Sequence, residues 1–285
     1  LALGGLAGAL AGLKKGKPKP AFLLLVLLGL TTVLWGVITC NYFGISVEYI
    51  PGVLKNISIA SLSSVTSAQS PEMSKWVTQN LQVFCFSLAT VQLSIAHLKG
   101  IISFRKSLRA LGDLGSMFML WGIYYFVLFM VVDGTRFPLD TLLFNTVSIS
   151  TIVFTLIGLG FVLNFVFRSY TDSIKGAVID SSINIVSVLL GVVNVFSDIV
   201  SYIRLWAVAL AGAAISATVN AMAGPMFGGL IIFLGIIILF VGHGLNMILN
   251  LLSVIVHGVR LNTLEFTSHL GMSWSGFNYE PFSED

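Results

Sequence analysis

Residues 182–223 read SINIVSVLLGVVNVFSDIVSYIRLWAVALAGAAISATVNAMA, and residues 227–269 read FGGLIIFLGIIILFVGHGLNMILNLLSVIVHGVRLNTLEFTSH. Each is a helical pattern of about 40 residues, and neither contains a central proline to break it. A helix of that length is about 60 Å long at ~1.5 Å per residue. The hydrocarbon core of a bilayer is only ~30 Å thick. Two such helices must tilt well beyond the usual ~20° or protrude from the membrane.

The rest of the chain has the same character. Hydrophobic residues make up 56% of its 285 positions, charged residues 9%, and the mean hydropathy is +0.96. Soluble domains carry roughly 25% charged residues. So few charges cannot cover a water-facing surface, so lipid must solvate much of the chain. Alternating β-barrel patterning is absent, and a helix satisfies its own backbone in lipid. The fold expected is all-α, a polytopic helical membrane protein with two long, strongly tilted C-terminal helices. The net charge of +3 gives no footing for nucleic acid. Cys40 and Cys85 lie in apolar runs without metal-ligand spacing, and read as packing residues. No cofactor motif, phosphate loop, nucleophile elbow or catalytic carboxylate pair occurs, so no catalytic site is expected.

Seven membrane segments can be placed. Residues 1–13 form the end of one span, with Gly4, Gly8 and Gly12 as a small-residue stripe. Further spans fall at 20–44, 76–104, 114–132 and 142–167, followed by the two long segments. The chain opens on Leu1 inside an apolar stretch and reads as a fragment of a longer protein. One set of loops carries Lys14, Lys15, Lys17, Lys19, Arg105, Lys106, Arg109, Arg168 and Lys175; the alternate set carries Lys55, Lys75 and Arg136. The positive-inside rule then puts the first set and the carboxyl terminus in the cytoplasm. The Ser-rich loop 45–75 is external. Lys99 snorkels at the cytoplasmic end of its span with His97 beside it, and Asp113, Asp133, Asp140, Asp172 and Asp180 sit at span ends.

Both long segments carry polar stripes. His243, Asn246, Asn250, Ser253, His257 and Arg260 recur at alternating spacings of 3 and 4. They fall within roughly a 100° arc. Asn194, Ser197, Asp198, Ser201 and Arg204 fit within roughly 120°, and Gly212 and Ser216 continue that face. Taken singly, a Ser or Asn in such a helix is helix–helix glue, and a lone His is a packing residue. Arg260 has a mundane role open to it as a snorkelling residue. Arg204 does not, because an arginine at mid-bilayer costs about 2.5–3.5 kcal/mol even on the gentlest scale. Asp198 lies six residues back, about 9 Å along the axis. Pairing at that distance is loose, and a partner from another chain is expected. Two aligned stripes, each ending near an arginine, read as a hydrated ion path.

These residues carry a family resemblance. DIVSYIRLWAVALAGAAIS (198–216) and HGLNMILNLLSVIVHGVRLNTLEF (243–266) resemble the membrane domain of V-type ATPase subunit I, the prokaryotic counterpart of eukaryotic subunit a. LWGVITCNYFG (34–44) and the terminal YEPF (279–282) are similar to it as well. The resemblance spans nearly the whole chain, and the SYxRLxA and HxxRLxxxEF cores are specific. It implies an ion-conducting stator whose two long helices lie against a rotating ring of small proteolipids. The position of Arg204 faces the ring carboxylates, and that of Arg260 supports it. It also implies a cytoplasmic stalk domain, absent from this sequence, that joins peripheral stalk subunits. Where the eukaryotic pattern reads LAHAQLS, this chain has LAGAAIS, with Gly212 and Ala214 in place of His and Gln. Eukaryotic half-channel roles therefore do not transfer to those positions.

On this reading, residues 1–181 form a supporting bundle, and 182–285 form the rotor-facing helices and a cytoplasmic tail. Arg204 and Arg260 serve ion translocation. Asp198, Ser201, His243, Asn246, Asn250, Ser253, His257 and Glu265 are half-channel candidates for H⁺ or Na⁺. Asp198 belongs to the inner path, and His243, Asn246 and Asn250 to the outer one. The expected location is a prokaryotic plasma membrane. The competing reading is a secondary transporter with Arg204 in an anion site, which calls for inverted repeats or broken helices. A third is a membrane anchor with no ion path.

Overall fold

The computed structural model describes residues 20–143, 147–168, 170, 174–228 and 231–272. Four sequence expectations lie outside the described residues: the span end 1–13, the loop 14–19, Asp172, and the 279–282 motif. The helices are α1 (Pro20–Thr39), α2 (Gly52–Ile57), α3 (Ser64–Ser67), α4 (Pro71–Ser103), α5 (Arg109–Val127), α6 (Ile149–Phe167), α7 (Ile174–Ile183), α8 (Ile185–Ser201), α9 (Ile203–Ala223), α10 (Ile232–Arg260) and α11 (Thr267–His269). A two-stranded antiparallel hairpin, Leu142–Leu143 with Val147–Ser148, is the sheet structure among the described residues.

Five described helical runs are long and apolar enough to cross a membrane: Pro71–Ser103, Arg109–Val132, Ile149–Phe167, Val188–Gly228 and Ile232–His269. The last two are 41 and 38 residues long, so both overlong segments are present. The surface is inverted relative to a soluble protein. Phe240 is 82% exposed and Phe233 72%, while Thr90, Ser116, Asn164 and His97 are buried. Apolar surface on that scale is stable only against lipid or a partner. The chain is a polytopic helical membrane protein.

The ends of these helices follow local chemistry. Pro71 occupies the first position of α4, where its missing N–H costs nothing, and Ser70 Oγ accepts from Met73 N at 3.2 Å. Ser148 caps α6 by accepting from Thr151 N. This corrects the span expected from residue 142. Leu142–Leu143 and Val147–Ser148 pair as strands, and the helix starts at Ile149, one residue after its cap. The second expected span stops being helical at Thr39 rather than 44, because Cys40, Phe43 and Gly44 adopt left-handed φ values of 52°, 51° and 68°.

The uninterrupted pattern expected of the long segments is also corrected. The first begins at Ile174 and is broken at Asn184 and Tyr202. At Tyr202 the backbone tightens to i+3 bonding: Tyr202 N donates to Ile199 O and Leu205 N to Tyr202 O. The second widens into a π-helical turn over Leu261–Phe266. Neither feature needs a proline, so the residue pattern carries no sign of them.

The chain packs as two compact units. One comprises the described parts of Leu1–Leu81 and Ala209–Asn250, the other those of Gln82–Val208 and Leu251–Asp285. In the first, Gly44 lies against the backbone of Ala217, and Gly242 against Val219. In the second, α5 packs on α6 through glycines. A Cβ on Gly160 would stand 2.5 Å from Gly115 O, and one on Gly122 2.6 Å from Ile157. This is small-residue packing of membrane helices. Asn164 Nδ2 donates to Ser116 Oγ inside it, closing a buried polar pair. The remaining core joins Phe86, Leu93, Leu120, Ile123, Val195, Ile199 and Tyr202.

Candidate functional site

Both arginines of the sequence reading belong to the second unit and line one open-sided cavity of about 640 Å³. Its charged lining is Arg204, Arg260, Asp198 and Glu265, with Ser197 and Ser201 beside them. Two guanidiniums and two carboxylates thus share a space, yet among the described residues no salt bridge joins any of them to another. Arg204 Nη1 is buried without a hydrogen-bond partner, and so is Glu265 Oε2; Glu265 is only 5% exposed. Unpaired charges in a dry interior cost several kcal/mol each. The set is tolerable where solvent or an incoming counter-charge reaches it.

Helix irregularities assemble this set. The tightened turn at Tyr202 lies just before Arg204, and the π turn begins just after Arg260. In a regular α-helix, Glu265 would project about 140° away from Arg260 at ~100° per residue. Widening by one residue in the turn reduces that to about 40°, which brings the carboxylate into the cavity. Glu265 was recognisable as part of a motif, but its shared face with Arg260 was not.

Two hydrogen-bonded chains tie α4 to the long segments within this unit. Tyr202 Oη donates to Gln92 Oε1 at 3.0 Å, and Gln92 Nε2 donates to Asn262 Oδ1 at 2.9 Å. One turn along α4, His97 Nε2 meets His269 Nδ1 at 3.0 Å, and His269 Nε2 meets Asp198 Oδ2 at 2.9 Å. Sequence reasoning singled out none of Gln92, His97, Asn262 or His269 for a role. Periodicity could not find them, because His97 and His269 are 172 residues apart. Ser201 Oγ donates to the Asp198 carbonyl, and Ser253 and His257 are half-buried with no side-chain hydrogen bond among the described residues.

The remaining candidates lie in the first unit. His243 Nε2 meets Asn220 Oδ1 at 2.9 Å, Asn220 Nδ2 donates to Phe43 O at 2.8 Å, and the Phe43 ring stands edge-on to His243. His243 Nδ1 is buried with no partner. Asn246, 7% exposed, donates to Gly212 O and Ser216 Oγ. Asn250 Nδ2 donates to Asn246 O and Oδ1, and its amide fills the space a side chain at Gly212 would need. Asn246 and Asn250 therefore join α9 to α10. His243 retains a free ring nitrogen.

Fold and site define a class: a multi-span helical membrane protein whose two overlong helices bring two arginines and two carboxylates into one open cavity. The chain is 43% identical over 284 residues, all of its length, to V-type ATP synthase subunit I 1 of Treponema pallidum. It is 36% identical over 291 residues to V-type ATP synthase subunit I of Borreliella burgdorferi, covering 98% of this chain. Against A-type ATP synthase subunit I of Methanocaldococcus jannaschii the identity is 26% over 91% of the chain. The chain belongs to the subunit I family of V-type and A-type ATP synthases. It spans 43%, 44% and 37% of the lengths of those three relatives. No family model matches it, and no solved structure is significantly similar to it.

Proposed function

We propose that this chain is the ion-conducting stator segment of a rotary V-type ATPase, and that Arg204 meets in turn the ion-binding carboxylates of a ring of small proteolipids. The observation that carries the proposal is an arginine lining an open cavity with a buried, unpartnered Nη1. A guanidinium stays charged at any working pH and donates bidentately to a carboxylate. A ring carboxylate must be neutral to cross lipid and ionised to exchange its H⁺ or Na⁺. Arg204 stabilises the ionised form as it passes and blocks direct leakage between the two half-channels. At 4 Å and an effective dielectric of 20, the pair is worth about 4 kcal/mol before desolvation. The membrane potential supplies about 2.3 kcal/mol per charge per 100 mV. These are comparable, so the contact holds only transiently.

Arg260 adds positive potential beside Arg204, while Asp198, Ser201 and Glu265 line the inner path. His243, with its free ring nitrogen, anchors the outer path together with Asn246 and Asn250, and Ser253 and His257 are half-channel residues not assigned to either side. Residues 1–181 support the two long, tilted, rotor-facing helices of 182–285. The carboxyl terminus is cytoplasmic and the membrane is a prokaryotic plasma membrane. A stalk domain of the full-length protein connects to peripheral stalk subunits.

Gentle detergent purification of the full-length protein tests the assembly. It is expected to bring down an ATP-hydrolysing complex and a ring of small proteolipids. Recovery as a lone active carrier would favour the secondary-transporter reading. Asn250→Leu tests the outer path. It removes both bonds to Asn246 and puts a branched side chain against Gly212. ATP-driven uptake into vesicles is expected to slow by about tenfold, the scale of one lost hydrogen-bonded site of about 1.4 kcal/mol. An unchanged rate would leave the stripe with a packing role alone.

A further inference from the structure

Asp198 lies six residues before Arg204 and lines the same cavity, which makes it an internal partner within loose reach of the guanidinium. The two are not paired. Its Oδ2 bonds His269 Nε2 at 2.9 Å, while Arg204 Nη1 has no partner. His269 is itself held. Its Nδ1 meets Nε2 of His97 at 3.0 Å, with the two rings edge-on at 5.0 Å between centroids. His97 is 4% exposed and stands on α4, outside both long segments.

With His269 neutral, the hydrogen bonds fix the tautomers. An ionised carboxylate only accepts, so His269 Nε2 carries a proton. Nδ1 of a neutral His269 then accepts from His97 Nε2–H. His97 Nδ1 is left as a lone pair, which agrees with its lacking any donor in reach. The donors run one way, from a buried ring to the carboxylate at the cavity edge. A second imidazole orients the first, as outer partners orient the ligands of a metal.

We infer that His269, oriented by His97, is a positioning residue that holds the Asp198 carboxylate off Arg204 and so keeps the guanidinium free for carboxylates arriving from another subunit. The inference rests on the stator reading above. Released from His269, Asp198 would compete for Arg204, and the apparent affinity for an incoming carboxylate would fall with the fraction of Arg204 left free.

The test uses the assembled complex in sealed vesicles, with ATP hydrolysis and ATP-driven ion uptake measured together. His269→Leu is expected to lower both rates in step by about tenfold, within the range for coupled neighbours. A guanidinium occupied by Asp198 stalls the rotor, whereas simple damage to packing leaves hydrolysis running while uptake is lost. Adding Asp198→Asn to His269→Leu is expected to raise both rates several-fold, up to the level of Asp198→Asn alone, since an amide cannot neutralise the arginine. His269→Gln keeps an N–H for Asp198 and is expected to retain most of the uptake. If His269→Leu does not assemble, His97→Leu carries the same test, with a smaller loss relieved by the same Asp198→Asn. Wild-type rates in His269→Leu, a double variant no faster than the single one, hydrolysis that outlives uptake, or a tenfold loss in His269→Gln would each overturn the inference. The stator reading is decided separately, by Arg204→Ala.

Discussion

Arg204→Ala is expected to abolish coupled ion transport while leaving the complex assembled. The guanidinium makes no salt bridge among the described residues, and its Nη1 has no hydrogen bond to lose. Truncating it therefore removes little that holds the fold together. What it removes is the proposed contact with an arriving carboxylate, about 4 kcal/mol at an effective dielectric of 20. At about 1.4 kcal/mol per factor of ten, exchange slows by nearly three orders of magnitude. Arg204→Lys is expected to fall well short of the native rate too, because an ammonium is a compact point charge without the planar fork. The measurement is ATP-driven uptake in vesicles, normalised to assembled complex. Native uptake by Arg204→Ala would remove the basis of the proposed mechanism.

The other large effect concerns stability. Gly160→Leu is expected to prevent accumulation of folded protein in the membrane, whereas Gly158→Leu, two residues away on α6, is expected to be tolerated. A Cβ on Gly160 would stand 2.5 Å from Gly115 O and 2.7 Å from Met119 N, so backbone must move to admit it. A Cβ on Gly158 meets nothing within 4 Å. Forcing α5 and α6 apart also strains the buried Asn164–Ser116 pair. The cost is about 3 kcal/mol or more for Gly160→Leu and within about 0.5 kcal/mol for Gly158→Leu. Membrane yield and detergent melting temperature of the two variants measure the contrast. Equal yields would show that the glycine contact does not hold this helix pair.

Much of the site was legible from residue spacing. Arg204, Arg260 and Asp198 stand out because charged side chains are expensive in a lipid-length apolar run, and the structure puts all three around one cavity. The polar stripe of the last long helix was equally visible, but its bonding was not. Asn246 and Asn250 bind each other and, through Gly212 and Ser216, the neighbouring helix. Glu265 entered through a motif. Its place in the cavity lining beside Arg260 depends on a π turn that a fixed angular step cannot contain.

The amino-acid sequence by itself determined the medium, the helical class, the two overlong segments and the cost of their arginines. All of these follow from composition and period along one helix, where each residue's neighbours are set by chain geometry. Tertiary structure alone decided that Arg204 and Arg260 form no salt bridge among the described residues, that Glu265 turns inward, and that His97 and His269 hold Asp198. Those outcomes depend on contacts across as many as 172 residues and on local departures from α-helical bonding. Packing selects such contacts, and a hydrophobic period carries no record of them.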